Sequence, residues 1–354
     1  MTSWEKHSVT ISRLDGGLDP DLELPTLPPP STPGYGENDG FWVWDDTQGL
    51  GMHLWLGSAG HPILRLGRVT IWLPDGRVLT RMQDGVGVSE RTQGNGMLFA
   101  TVLEPYRRWR WSLLGSTQPT TADELRAAPQ RDGPKVHTRV ELEAEMITPP
   151  WVNGGFVPPE VYAASDFAKA QGGFRFEQFL KASGVVQIGN GPELRFEGVG
   201  SRTHRKGVRI LTMAKFPGHV WAGAVFPSGR AFYVQQHAGA DGPIISDECW
   251  VKSGDVFHRA EFIDPPRFRP ELAGERFEIR LRSAMGLDVI QGERIAQSFQ
   301  MLPVQTGGGS IWGLDHQAAP GDLAMDQGFI RYTWGGETAC NFMERSLPIG
   351  VVSG

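Results

Sequence analysis

The chain has 354 residues, a length that accommodates one large or two medium domains. Its formal net charge of −6 comes without a block of like charges, which argues against a nucleic-acid partner because such binding needs a basic patch. It contains no run of about 18 apolar residues, so we expect no membrane-spanning helix. Two cysteines, Cys249 and Cys340, and a start without a signal-peptide pattern predict a cytoplasmic protein.

The first half of the chain predicts an irregular start followed by short strands. Prolines crowd residues 1–36, which we expect to form an arm outside any central strand. The clearest hairpin covers residues 68–79, where apolar residues alternate before the turn sequence Pro74-Asp75-Gly76. Further strands of this half are predicted at 97–103, 107–114 and 136–146.

Two segments carry helix signals. Residues 120–128 contain a capping box, in which Thr121 and Glu124 cap the first turn reciprocally. Residues 158–171 open with prolines that suit a first helical turn. The second helix precedes the second β-rich half, so we expect it to bridge the two halves.

The second half, like the first, consists of short alternating segments separated by turns. Its turn sequence Pro227-Ser228-Gly229-Arg230 echoes Pro74-Asp75-Gly76-Arg77, which suggests two related β halves. Frequent turns and closely spaced strands favour an all-β fold of the sandwich or barrel type. The predicted strands of this half are 174–188, 194–198, 208–216, 219–226, 230–237, 275–283 and 329–344.

The run from Gly198 to Arg209 is the most informative part of the sequence. Arg202, His204 and Lys206 are spaced two apart, so in a strand they share one face, directed to a core, a cavity or water. Three polar heads between strand-forming segments indicate either a functional site or a solvated strand edge, and local sequence leaves both open.

The chain resembles a known superfamily over residues 35–348. The likeness lies in Gly198-x-Gly200-x-Arg202-x-His204-x-x-Gly207-x-Arg209 and in the stretches 67–78, 103–111, 176–184, 328–332 and 339–344. These segments resemble the lipocalin-like superfamily that includes carotenoid 1,2-hydratases (hydroxyneurosporene synthases) and fungal Diels–Alderases, and most closely its bacterial members.

The resemblance implies a fold of two lipocalin-like antiparallel β-barrels side by side, with a cavity between or within them. We accordingly expect an arm at 1–36, a first β domain at 37–172 and a second at 173–354. The family also implies chemistry on large apolar substrates without an organic cofactor or a metal. No pair of histidines has the usual ligand spacing, so we expect no metal site.

Alkene hydration needs an acid beside an apolar pocket and aromatic faces that stabilise a developing cation. We predict that His204 and Glu177 handle protons and that Arg202 orients the substrate. Glu177 could pair with Arg202 or His204 on a neighbouring strand, either structurally or catalytically. The residues predicted to bind substrate are Trp42, Trp44, Trp221, Tyr332, Trp334 and Glu344. Four other acids lie near aromatic residues in the sequence, and their contexts favour turn or surface positions. They are Asp45, Asp46, Asp166 and Asp315.

The sequence therefore predicts a cofactor-independent enzyme, a hydratase-type lyase or an isomerase or cyclase. Its expected partner is a hydrophobic small molecule, such as a terpenoid, a steroid or an aromatic catabolite. The alternatives are a non-catalytic carrier with the same pocket and, third, a structural or partner-binding β protein. The oligomeric state is open, with a homodimer as one arrangement.

Overall fold

The structure, a computed structural model, describes residues 7–28, 30–58, 63–128, 133–165, 168–169, 172–208, 218–238, 244–268, 274–302, 311–315, 318–319 and 322–349. Strands dominate these residues, and the two α-helices are α1 (Ala122–Ala127) and α2 (Pro159–Ala164). A 3-10 turn lies at Pro20–Leu22. Within the described part of the chain, no helix has the length and apolar character needed to cross a bilayer.

The first sheet closes into an eight-stranded antiparallel barrel. Its path runs β11-β12-β2-β3-β4-β5-β8-β9 and returns to β11, because β9 pairs with both β8 and β11. Three short strands, β6, β7 and β10, extend the same sheet. The strands are β2 (Tyr35–Asp45), β3 (Leu50–Ser58), β4 (Leu64–Trp72), β5 (Arg77–Val86), β6 (Thr92–Gly94), β7 (Leu98–Glu104), β8 (Arg108–Thr121), β9 (Val136–Met146), β10 (Trp151–Val152), β11 (Phe174–Ile188) and β12 (Glu193–Val208).

The second sheet forms another closed eight-stranded barrel. Its path runs β16-β15-β14-β13-β21-β20-β18-β17 and returns to β16, while β1 and β19 pair at its margin. Closure leaves each barrel without a free edge around its ring. The strands are β1 (Ser8–Thr10), β13 (His219–Val225), β14 (Ala231–Ala238), β15 (Ile244–Ser253), β16 (Val256–Ile263), β17 (Arg276–Ser283), β18 (Gly286–Leu302), β19 (Ile311–Trp312), β20 (Leu323–Trp334) and β21 (Glu337–Pro348). The predicted all-β, two-barrel fold class is confirmed.

The change from one sheet to the other lies later in the chain than the predicted domain boundary at residue 172. Strand β11 pairs with β9 and β12 pairs with β2, so both belong to the first barrel. The second barrel's own strands start at β13, with His219. Local alternation predicted β11 with its observed bounds but only the first part of β12, at 194–198. Pairing partners distant in sequence decide which barrel a strand joins.

Several local predictions are confirmed. The hairpin at 68–79 corresponds to β4 and β5, and Thr121 and Glu124 form the predicted capping box at α1. Residues 198–208 of the glycine-rich run belong to one continuous strand, β12, in which a Cβ atom at Gly200 would collide with the carbonyl of Trp42 on β2. The glycine therefore permits close strand approach. Most of the predicted strand 208–216 lies outside the described residues.

Aromatic residues pack between the two barrels as well as inside them. Each barrel has its own apolar core, and a third buried cluster joins residues of both sheets. Trp42 of the first barrel meets Trp221 of the second with ring centroids 4.8 Å apart and nearly perpendicular planes. We call this third cluster the inter-barrel layer. Its tryptophans are Trp42, Trp44, Trp72, Trp151, Trp221 and Trp250.

The proline-rich arm attaches to the first barrel through a buried carboxylate. Glu23 is fully buried, accepts hydrogen bonds from the Tyr106 amide and the Trp109 indole, and forms an ion pair with Arg202. The ammonium group of Lys206 donates to the Asp21 carbonyl at 3.0 Å. These contacts hold the arm against the polar part of the first barrel's interior.

We predict that Glu23→Ala lowers the free energy of unfolding by about 3–5 kcal/mol, because the change leaves Arg202 as a buried cation without its partner. Urea denaturation followed by tryptophan fluorescence measures the loss. Glu193→Ala is the control, since this exposed carboxylate pairs only at the surface and should contribute less than about 1 kcal/mol. Equal stability of the Glu23 variant and the wild type would contradict the anchoring role.

Candidate functional site

Arg202 and His204 share one face of β12, as predicted, and that face lies inside the first barrel. The Arg202 guanidinium carbon lies 4.5 Å from the ring centroid of Trp109 and 4.9 Å from that of Phe176. The His204 ring bonds Asp39 through Nδ1 at 2.9 Å, and its Nε2 lies 3.1 Å from a backbone carbonyl, that of Leu22. Both polar heads therefore contact the arm and the barrel interior.

Glu177 lies on the opposite face of the sheet, between the barrels. In the β11–β12 register, Phe176 pairs with His204 and Glu177 pairs with Thr203. Because successive residues of a strand face opposite sides, Glu177 cannot reach the face that holds His204. The expected pairing of Glu177 with Arg202 or His204 is therefore wrong, and the three predicted catalytic residues do not form one site.

The partners of Glu177 are Arg175 and Thr203. The Arg175 Nε and Nη2 atoms each lie 2.8 Å from Glu177 Oε1, and the Thr203 hydroxyl donates to the same oxygen at 2.9 Å. Burial raises the pKa of Glu177 to about 7, although Arg175 and Thr203 act in the opposite direction. This carboxyl can thus exchange a proton near neutral pH.

Arg175 connects Glu177 to a cavity of about 520 Å³. The cavity lies beside α2, and β11 supplies its wall through Phe174 and Arg175. Its polar lining residues are Asn153, Tyr162, Lys169 and Arg175. Its apolar lining includes Val152, Val157, Ala163, Ala168, Phe174 and Val208. This combination of apolar walls and few polar groups is typical of small-molecule sites.

Residues of the second barrel complete the polar group around Arg175. The Gln235 amide has one orientation in which both its oxygen and its nitrogen have hydrogen-bond partners. In that orientation Gln235 accepts from Arg175 at 3.1 Å and donates to the Tyr233 hydroxyl at 3.0 Å. We call Arg175, Glu177, Thr203, Tyr233 and Gln235 the Arg175 cluster. Its members come from β11, β12 and β14, so both barrels contribute to it.

A second buried carboxyl lies behind another part of the cavity lining. Glu248 accepts hydrogen bonds from the Trp151 indole at 2.8 Å and from the Gly154 amide at 2.9 Å. Burial raises the pKa of Glu248 to about 7, against the effect of these bonds. Since Gly154 lines the cavity, this carboxyl supports the loop that shapes the cavity.

Three of the four tryptophans predicted to bind substrate, Trp42, Trp44 and Trp221, lie in the inter-barrel layer rather than on the cavity wall. Trp42 stacks on His53 with ring centroids 4.1 Å apart, and Trp44 packs against Phe329. Trp221 comes nearest to the site, because the Arg175 guanidinium carbon lies 5.0 Å from its ring centroid. Trp221 thus packs directly against the Arg175 cluster, and Trp42 packs against Trp221.

The remaining predicted binding residues are dispersed. Tyr332 and Trp334 belong to the core of the second barrel, where the Tyr332 hydroxyl donates to the Phe342 carbonyl. Glu344 faces the first barrel, lies 2.9 Å from His219 Nε2 and accepts from Gln327. Burial alone would raise the pKa of Glu344, but these two partners hold it below its ordinary value.

Among the other candidate acids, those that the structure describes do not line the cavity. Asp45 caps its turn by accepting from the backbone amides of Thr47 and Gln48, as its sequence context suggested. Asp46 pairs with Arg331 at the surface, and Asp166 lies outside the described residues. Within the described part of the chain, no cluster of three or more His, Cys, Asp or Glu side chains is arranged to hold a metal ion.

Sequence reasoning missed Arg175 as a cavity residue. The signal was present, because Arg175 is two residues before Glu177 and therefore shares its strand face. The segment 158–171 was expected to bridge the halves, and its described part does supply cavity-lining residues, including Tyr162 and Lys169. What the sequence could not show is that these two regions meet.

Comparison with one solved structure supports the fold, and two further structures align with this chain. A crystal structure from Nitrosomonas europaea described as AttH aligns with a TM-score of 0.57 at 13% identity, over 88% of this chain and 92% of that chain. CghA aligns with a TM-score of 0.49 at 11% identity, over 98% and 99% of the two chains. Kievitone hydratase from Nectria haematococca aligns with a TM-score of 0.48 at 10% identity, over 98% and 97%. No family model and no curated protein sequence matches the chain.

We predict that Glu177→Gln changes how stability depends on pH. A carboxyl whose folded-state pKa is raised from 4.5 to about 7 stays protonated in the folded protein while the unfolded chain ionises, so the wild type loses stability as pH rises through this window. The difference in unfolding free energy, wild type minus variant, should fall by about 3 kcal/mol between pH 4.5 and pH 8.

Urea denaturation at half-unit pH steps measures this slope. Glu193→Gln, at an exposed carboxyl, serves as the control and should leave the pH dependence unchanged within this window. A difference that stays constant or rises with pH would show that Arg175 keeps Glu177 ionised, contrary to the raised pKa.

Proposed function

We propose that this protein is an enzyme that acts on a hydrophobic small molecule in the cavity beside α2 by acid–base chemistry, without an organic cofactor. The observation that carries the proposal is the Arg175–Glu177 pair, a cavity-wall cation bonded to a buried carboxyl with a pKa of about 7. Alkene hydration, double-bond isomerisation and proton-initiated cyclisation all use such a proton-exchanging group.

The cavity suits a small apolar ligand. Its volume of about 520 Å³ lies within the usual range of small-molecule sites, and much of its wall is apolar. A bound molecule would displace water from this wall, which strengthens electrostatic interactions with the polar groups that remain. Asn153 and Tyr162 supply hydrogen-bonding groups at the wall.

Arg175 and Glu177 have different roles in this proposal. Arg175 is at the wall, so its guanidinium would bond an oxygen of the substrate and stabilise negative charge that develops there. Glu177 lies behind Arg175 and does not line the cavity, so it would give or take the proton through one intervening water. Thr203 and the second barrel's Gln235 and Tyr233 hold the pair in place.

The test is turnover of a captured ligand. Native mass spectrometry of the purified protein, followed by incubation with a library of apolar metabolites, identifies a ligand and shows whether it gains the mass of water or changes isomer. We predict that Glu177→Gln binds the same ligand and converts it at least about 100-fold more slowly, because removing a general acid or base has an effect of this size.

Two controls separate the outcomes. Glu193→Gln changes an exposed carboxyl of the same hairpin and should keep full turnover. His204→Gln should also keep turnover if the barrel interior takes no part in the chemistry. Full activity of Glu177→Gln would refute its proton role, and a wild type that returns every bound ligand unchanged would identify a carrier instead.

A further inference from the structure

A carboxylate of the proline-rich arm lies among three convergent donors of the first barrel. Glu23 has no solvent exposure. Its Oε1 accepts from the Trp109 indole at 2.6 Å and pairs with Nη2 of Arg202, and its Oε2 accepts from the Tyr106 amide. Hydrogen bonds to an ionised acceptor are about twice as strong as neutral ones. We call these three donor groups the carboxylate receptor.

The carboxylate receptor belongs to the barrel and not to the arm. Arg202 is on β12, Trp109 is on β8, and Tyr106 lies in the turn between β7 and β8. Tyr106 has a φ of 58°, a conformation uncommon outside glycine that is often found at ligand clamps. Inside the barrel, Gln178 Nε2 donates to the Tyr106 carbonyl at 3.1 Å and so holds this turn. The donors therefore keep their positions without the arm.

Glu23 does not use the full binding capacity of Arg202. It meets the guanidinium at Nη2, and among the described residues no atom accepts a hydrogen bond from Nε or Nη1. The ring centroids of Trp109 and Phe176 lie 4.5 Å and 4.9 Å from the guanidinium carbon and fix its position. Because guanidinium–carboxylate pairs are frequently bidentate, a freely oriented carboxylate can form one bond more with Arg202 than Glu23 does.

The arm is held mainly by polar contacts. The Lys206 ammonium donates to the carbonyls of Asp21 and Leu24 at 3.0 Å and 2.9 Å, and the Tyr106 hydroxyl donates to the Asp19 carbonyl at 2.8 Å. A buried ion pair adds little net stability, because the desolvation of both charges offsets their attraction. An attachment of this kind can exchange with a competing ligand that offers the same groups.

We propose that the carboxylate receptor is a second binding site, for a carboxylic acid with an apolar chain, and that Glu23 occupies it in competition with this ligand. The arm has the chemistry of such a ligand, since the Glu23 carboxylate enters the receptor while Leu24 packs against the apolar core of the first barrel. Binding of the acid releases the arm. The inference does not depend on the cavity beside α2 or on the proposed function.

Hydrogen–deuterium exchange of the wild-type protein with hexanoate tests the competition. Hexanoate has a carboxylate on an apolar chain, and hexanamide is its neutral counterpart of the same length. A tethered Glu23 acts at an effective concentration on the order of mM, so hexanoate is used above that range. We expect hexanoate to speed exchange of the amides in residues 18–28 and hexanamide to leave them unchanged.

Variants of Glu23 assign the effect to the carboxylate receptor. Glu23→Ala removes the internal competitor, so its affinity for hexanoate, measured by isothermal titration calorimetry, should exceed that of the wild type at least about tenfold. Adding Arg202→Met should reverse this gain. Glu193→Ala, at an exposed carboxylate, is the control and should bind like the wild type.

Glu23→Gln keeps the experiment decisive if Glu23→Ala does not fold. The neutral amide keeps the shape of the side chain but pairs less strongly with Arg202. It should therefore lower the hexanoate concentration that releases the arm about tenfold, because a hydrogen bond between two charged groups is replaced by a weaker one.

The outcomes are distinct. Release of the arm by hexanoate alone, with tighter binding by the Glu23 variants that requires Arg202, supports the inference. Equal effects of the two probes, exchange that changes only in α2, or hexanoate binding that survives Arg202→Met overturns it and leaves Glu23 as a structural anchor. The proposed function is tested separately, by turnover at the cavity beside α2.

Discussion

The structure depends on one antiparallel ladder, β11–β12, both faces of which are buried. The face that carries Phe176 and His204 fills the first barrel, and the face that carries Glu177 and Thr203 meets the second barrel. A shift of the register by one residue would move every side chain to the other face. The glycine at position 200 and the aromatic inter-barrel layer stabilise the observed register, because neither fits the alternative.

Joining two barrels through this ladder creates an unusual environment for a carboxyl. Glu177 is removed from water by the second barrel, yet Arg175 and Thr203 keep it hydrogen-bonded. Desolvation and these bonds oppose each other, and the balance leaves its pKa near neutrality. The same ladder places Arg175 at the cavity wall. The packing of the two barrels against β11 and β12 therefore determines both the fold and the environment of the candidate acid–base pair.

Particular residues show how far the sequence could predict this arrangement. Alternation correctly placed Arg202 and His204 on one face, and turn chemistry identified the β4–β5 hairpin. Alternation alone does not say which face points where, since that depends on pairing between β11 and β12 and on the second barrel. Tyr332 was assigned to the site for its residue type, but its strand directs it into the second barrel. The same alternation could have placed Arg175 on the strand face that carries Glu177. Only the tertiary fold shows that Arg175 and α2 line one cavity.

The most direct measurement is a crystal structure of the protein with its captured hydrophobic ligand. We predict electron density beside α2, with the apolar body of the ligand against Val157 and Phe174 and a ligand oxygen within hydrogen-bonding distance of the Arg175 guanidinium. Density inside either barrel, with the cavity beside α2 left without ligand, would contradict the account and return attention to the polar interior around Arg202 and His204.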